Sequence, residues 1–304
     1  MGGSCAGKED IMEKRIDGRT ALYALFGTPV GHSGSPAMYN FCFQHDGINA
    51  AYMAFDVNVD DMEQVMKAVK LFNVRGGNFT MPVKNIASQL CDEITPAARL
   101  VGACNVFVNK DGRICGDVTD GKGFIKNLQV NGVDVKGKKL VVLGSGGAAT
   151  AVQVSLALEG VSELAIFCRN DEFYPRAEGT AKKLATECPD VKVSVTRLDE
   201  SAKLKEAVDG CDILVNATSV GMKPMDDMTL IDPAWLRKDL IVADTVYNPE
   251  KTKMILDAEA AGCKAAIGGK GMLLWQGALN YEFYTGRPMP VEEYQKYQAE
   301  QAAK

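Results

Sequence analysis

Histidine is almost missing from this sequence: His32 and His45 are the only two in 304 residues. A histidine-rich metal centre has too few ligands, so no metal is expected, and a Ser-His-Asp triad has only two positions to draw on. A basic excess is missing as well. Lys and Arg total 34 against 39 Asp and Glu, a net charge of −5. Nothing here neutralises a phosphate backbone or an anionic bilayer, which argues against nucleic acid and membrane as partners. No apolar run approaches the ~20 residues of a membrane span. Residues 1–18 carry Lys8, Glu9, Asp10, Glu13, Lys14 and Arg15 without an apolar segment, so no signal peptide is expected. The nine cysteines are odd in number and form no Cys-x-x-Cys pair. That pattern reads as reduced thiols in a cytoplasmic protein rather than a disulfide framework.

What is present is an ordinary globular composition, 46% hydrophobic and 24% charged. The length suits about two domains of roughly 100–200 residues each. Strand-like runs at 21–26, 52–57 and 76–80 alternate with helical patterns at 36–45 and 62–71. Ser35 is the candidate N-cap of the first helix, with Pro36 at its first position. A hairpin is expected around Asn109-Lys110-Asp111-Gly112. A more regular series begins after Gly137, with strands at 139–143, 164–168, 191–196, 213–216 and 240–244. Helices at 149–159, 176–187, 203–208 and 252–261 intervene, and two more follow at 272–285 and 291–303. Strands alternating with helices predict a doubly wound parallel sheet.

The first strand of that series runs into Gly144-Ser145-Gly146-Gly147-Ala148-Ala149, a Gly-x-Gly-x-x-Ala turn before a helix. Gly144 permits the tight turn and Gly146 lets backbone approach a pyrophosphate. Ala149 lets helix and strand pack closely, and the helix N-terminus offers N–H groups to the anion. Strand, turn and helix agree, so dinucleotide binding is expected. The second strand ends at Cys168-Arg169-Asn170-Asp171. Arg169 suits a 2′-phosphate and Asp171 a free 2′-hydroxyl, which leaves both NADP and NAD open.

Three polar clusters in the first 121 residues are not explained by core packing. Ser33 and Ser35 flank Gly34 at the mouth of a helix and can offer two hydroxyls to one ligand. Lys84 follows Thr80-Met81-Pro82-Val83 just past a strand that proline ends. Asp120 stands beside Gly121 where the first half hands over to the second.

Taken together, these segments resemble the shikimate dehydrogenase family from about Leu22 to Pro290. The matching motifs are Gly27-Thr28-Pro29-Val30-Gly31-His32-Ser33-Gly34-Ser35-Pro36, Thr80-Met81-Pro82-Val83-Lys84 and Val101-Gly102-Ala103-Cys104-Asn105. Thr119-Asp120-Gly121, the Gly144 turn, Asn216-Ala217-Thr218-Ser219 and Gly271-Met272-Leu273-Leu274-Trp275-Gln276-Gly277 continue in the same order. The segments around Arg169, Val220 and Val246 look most like the quinate/shikimate branch. The resemblance implies an α/β fold with two domains. An N-terminal α/β substrate domain (1–120) is completed by C-terminal helices (269–304), and a Rossmann domain spans 121–268. It implies Lys84 and Asp120 as catalytic pair, with Ser33, Ser35, Thr80, Asn105, Tyr247 and Gln276 joining them around the substrate. Ser145, Gly146, Gly147, Ala148, Arg169, Asp171, Ser219, Val246 and Gly269 fall on cofactor positions for NAD or NADP.

The implied reaction is reversible hydride transfer at a ring alcohol, with shikimate or quinate as substrate. A lysine in a closed cleft can exchange the hydroxyl proton, and hydroxyl and amide groups suit a polyhydroxylated carboxylate. Val118, Val106, Cys168 and Asn170 depart from the family pattern and touch substrate range and phosphate selectivity rather than the pair. The paired serines favour shikimate over quinate. Two other readings stay open. One is a dehydrogenase for quinate or an amino analogue; the other is a non-catalytic dinucleotide or metabolite sensor, against which Lys84 and Asp120 argue. No motif encodes the oligomeric state, and a homodimer is left open.

Overall fold

A computed structural model describes residues 16–303. Its first half runs β1 (Ala21–Gly27), α1 (Ser35–His45), β2 (Ala50–Asp56), α2 (Met62–Leu71), β3 (Gly76–Phe79) and α3 (Lys84–Leu90). It goes on through β4 (Glu93–Ile94), α4 (Pro96–Val101), β5 (Val106–Lys110), β6 (Arg113–Asp117) and α5 (Asp120–Val130). These strands form one mixed six-stranded sheet in the order β2-β1-β3-β5-β6-β4. β5 and β6 are the expected hairpin, with Asp111 and Gly112 both at positive φ in the turn.

The second half runs β7 (Lys139–Leu143), α6 (Gly147–Leu158), β8 (Glu163–Cys168), α7 (Tyr174–Glu187), β9 (Lys192–Arg197) and α8 (Ser201–Gly210). Then come β10 (Ile213–Asn216), β11 (Ile241–Asp244), α9 (Lys253–Ala260), β12 (Ala265–Ile267), α10 (Lys270–Thr285) and α11 (Val291–Ala302). The second sheet has the order β12-β11-β10-β7-β8-β9, and every pairing in it is parallel. This is the doubly wound dinucleotide-binding order, whose switch point lies between β7 and β10. Leu140, Val141, Val142 and Leu143 are all buried, as a central parallel strand covered on both faces requires.

After β12 the chain returns to the first sheet: α10 packs on α5, β3 and β5, and α11 lies against α1. α5 also packs against α6, so it stands between the two halves. The sequence pattern concealed α5 because it opens Asp120-Gly121-Lys122-Gly123, and glycine costs about 1 kcal/mol per residue in a helix. Packing overrides that preference. A Cβ on Gly121 would lie 2.1 Å from the Ala151 carbonyl oxygen of α6, and one on Gly123 2.6 Å from the Gln276 nitrogen of α10. The two glycines let three helices meet beneath Asp120.

Other short elements leave little trace in the sequence. α3 is seven residues long and β4 two, too short for periodicity to register. α4 is announced by its ends rather than its period: Thr95 accepts from the Ala98 N–H, and Gly102 closes it at φ 72°. At α1 the expected N-cap is corrected. The helix begins at Ser35 itself, Gly34 is its N-cap, and no side chain caps it. Ser33 Oγ instead accepts from the Ser35 N–H at 3.2 Å.

Candidate active site

Asp120 is the first residue of α5, where the helix dipole favours a carboxylate. Lys84 is the first residue of α3, which follows β3 after one turn of chain. Its Nζ donates to Asp120 Oδ2 at 2.7 Å, and the side chains keep 24% and 18% exposure. A pair so placed is shielded from bulk solvent yet still reachable by a ligand.

Asn105, directly before β5, supports the other carboxylate oxygen. Its Nδ2 donates to Asp120 Oδ1 at 2.9 Å, to Thr119 Oγ1 at 3.0 Å and, more weakly, to Gln276 Oε1 at 3.3 Å. Its Oδ1 accepts from the Thr119 N–H at 2.9 Å. The Asn105 carbonyl accepts from Asn78 Nδ2 at 2.8 Å, and Asn78 Oδ1 accepts from the Tyr52 and Tyr284 hydroxyls. Asn78, Thr119 and Asn280 are buried polar residues of this network to which sequence reasoning assigned no role, although Thr119 lies within the Thr119-Asp120-Gly121 motif. Each lies one or two residues from a motif residue or one helical turn from it, the signal that could have flagged them.

Two cavities meet at the pair. A cleft of about 990 Å³ is lined by Ser33, Ser35, Thr80, Lys84, Asn105, Asp120, Tyr247 and Gln276, all eight of the expected substrate positions. A second, of about 380 Å³, is lined by Gly147, Ala148, Ala151, Thr245, Gly269 and Met272. Lys84, Asp120, Tyr247, Leu273 and Gln276 belong to both.

The second cavity opens at the Gly144 turn. Gly144 has φ +115°, and a Cβ there would lie 2.7 Å from the Ala217 carbonyl oxygen of the loop after β10. Only glycine fits at this switch point. Gln153 of α6 donates to the Gly144 carbonyl at 2.9 Å and fixes the turn. Open space lies beyond Gly146 and Gly147, and no side chain caps α6. Uncovered N–H groups beside free space are what a dinucleotide pyrophosphate needs, so these residues fit that group.

The remaining cofactor positions are less uniform. Ser145 is buried with its hydroxyl on the Cys168 thiol, and Ser219 is exposed. The Val246 N–H is taken by Asp244 Oδ1 at 2.8 Å, while its carbonyl accepts from Gly269. Arg169 and Asp171, the two ribose-selecting candidates, pair with each other at 3.0 Å. These five lie outside the lining of both cavities, as does Gly146, the N-cap of α6. Asp244 is fully buried at the end of β11, and burial lifts its carboxyl to about 6 although Thr252, Val246 and Asn216 all donate to it.

Residues 25–107 match the model of the shikimate dehydrogenase substrate binding domain, and residues 269–293 that of the shikimate 5′-dehydrogenase C-terminal domain. A shikimate dehydrogenase (NADP(+)) of Listeria monocytogenes is 42% identical over 280 residues, covering 92% of this chain and 96% of that protein. The chain belongs to the shikimate dehydrogenase family. Among solved structures, the shikimate 5-dehydrogenase of Listeria monocytogenes in complex with shikimate and NAD is 41% identical. It superposes with a TM-score of 0.91 over 93% of this chain and 98% of that one. The quinate dehydrogenase of Corynebacterium glutamicum in complex with NAD is 26% identical, with a TM-score of 0.82 over 91% and 98%. A member of this family carries an α/β fold of two domains, as the two sheets here show. Among the described residues no helix is long and apolar enough to cross a membrane, and no cluster of His, Cys, Asp and Glu could hold a metal.

Proposed function

We propose that this chain is an NAD(P)-dependent shikimate dehydrogenase that interconverts 3-dehydroshikimate and shikimate, with quinate and 3-dehydroquinate as a second pair. The observation that carries this reading is the Lys84–Asp120 pair at the junction of the two cavities. A proton and a hydride must reach one carbonyl from different directions, and the pair stands where the two spaces meet.

The nicotinamide supplies or takes up the hydride. Ser145 to Ala148 and the α6 N-terminus would hold its dinucleotide, with Gly269 and Val246 on the opposite side and Arg169 and Asp171 toward the ribose. Lys84 gives its proton to the ring oxygen on reduction and recovers it on oxidation. Asp120 keeps the ammonium aimed at that oxygen, and Asn105 holds Asp120 in turn. Ser33, Ser35 and Thr80, with Tyr247 and Gln276, bind the carboxylate and the hydroxyls. A substrate lacking those groups displaces water from these donors without replacing its hydrogen bonds and is rejected. The units divide at 1–120, 121–268 and 269–304, supported by the membership of the two sheets and by the return of α10.

Every described cysteine is free, which supports a reducing, cytoplasmic setting. A homodimer would cover the exposed Met53 and Phe55 of the edge strand β2, and a single-chain mass by light scattering contradicts it. Reduction of NADP or NAD in the presence of shikimate tests the function. Inert mixtures with both shikimate and quinate overturn it.

A further inference from the structure

Asn280 is fully buried on α10, one turn beyond Gln276. Its Oδ1 accepts from the Thr119 hydroxyl at 2.5 Å. Its Nδ2 donates to Gln276 Oε1 at 3.1 Å and to the Tyr39 hydroxyl oxygen at 3.4 Å. Tyr39 spends its own proton on the Gly277 carbonyl at 3.2 Å, so toward Asn280 it can only accept. That fixes which end of the Asn280 amide faces which neighbour.

The consequence reaches the cleft through two residues. Gln276 Oε1 receives N–H groups from Asn280 and Asn105 and is held inward. Gln276 Nε2 is then the end left to Leu273 O, at 3.1 Å, and to the cavities that Gln276 lines. On the other side, the single Thr119 proton has two acceptors in reach, Asn280 Oδ1 at 2.5 Å and Asn105 Oδ1 at 3.2 Å; the shorter contact takes it, and Thr119 Oγ1 accepts from Asn105 Nδ2 at 3.0 Å. Reversing Asn280 alone would set its oxygen against Gln276 Oε1. Reversing Gln276 with it would set an N–H group against Asn105 Nδ2. Either arrangement strands buried polar groups.

We infer that Asn280 is a positioning residue that fixes the polarity of Gln276, so that this side chain presents N–H donors and not a carbonyl to the bound substrate. Its role rests on the dehydrogenase reading for the substrate named, but not for the orientation of Gln276. Asn280→Asp keeps the shape and the Thr119 acceptor while removing both N–H donors; Asn280→Leu removes every polar contact.

The orientation is read without substrate from the Gln276 side-chain amide signals in 1H–15N spectra, which Asn280→Asp should shift. In kinetics, Asn280→Asp should raise the KM for shikimate about tenfold while kcat and the KM for the dinucleotide stay within about threefold. In a Gln276→Ala background the same replacement should change that KM less than about twofold, because the two act as one unit. A merely structural role predicts effects that add. If Asn280→Leu fails to fold, Asn280→Asp alone decides. Unmoved Gln276 signals, or a KM effect that adds fully to that of Gln276→Ala, overturns the inference. Wild-type protein without activity on shikimate overturns the function instead, and leaves the spectra to decide Asn280.

Discussion

Lys84 and Asp120 start two different helices, α3 and α5, yet Lys84 Nζ and Asp120 Oδ2 stand 2.7 Å apart. The contact depends on helix packing directly beneath Asp120, because α5 reaches its place only where Gly121 and Gly123 let α6 and α10 close in. If Lys84 exchanges the proton, Lys84→Ala lowers kcat by about 10²–10⁴-fold while dinucleotide binding, followed by fluorescence titration, is unchanged. Asp120→Asn keeps the shape and a weaker contact, so its loss is expected to be smaller.

Gly121→Ala is predicted to destabilise the protein by about 1–3 kcal/mol or more, since its Cβ would lie 2.1 Å from the Ala151 carbonyl oxygen. Urea unfolding measures the loss. Turnover should fall as well, because the shift moves Asp120. A variant as stable as the parent contradicts the tight crossing of α5 and α6.

How much of this was legible in the sequence follows from the length scale of each signal. The second sheet was readable because buried runs such as Leu140–Leu143 alternate with long helices, and the Gly144 turn sits at the end of one of them. α5 was not, since its glycines answer to α6 and α10, neighbours remote in the chain. The eight expected substrate positions were chosen by motif resemblance, and all line one cleft. The roles of Asn78, Thr119 and Asn280 were not legible, because buried amides and hydroxyls have no pattern of their own; only their partners explain them.

Asp244 gives a pH prediction. Burial raises its carboxyl from 3.8 to about 6, so the folded chain keeps the proton to higher pH than the unfolded chain does. Its contribution to stability is full below about pH 4 and is lost as pH rises through 6. The difference is on the order of 3 kcal/mol. The substitution Asp244→Asn leaves an amide that does not titrate. The difference in denaturant midpoint, parent minus variant, should fall as pH rises across this range; parallel curves contradict the shift.

Arg169 and Asp171 pair at 3.0 Å, with Arg169 77% exposed. An arginine held by a carboxylate is less free to meet a 2′-phosphate. Asp171→Ala should therefore raise the NADP-to-NAD ratio of kcat/KM, and Arg169→Ala should lower it. Initial-rate kinetics with both dinucleotides check the two directions.

The most direct test of the central claim is steady-state turnover of purified protein with shikimate and with quinate, each with NAD and with NADP. Shikimate-dependent reduction of at least one dinucleotide, at a kcat/KM above that for quinate, is the predicted result. A protein that binds a dinucleotide but reduces it with neither substrate contradicts the account.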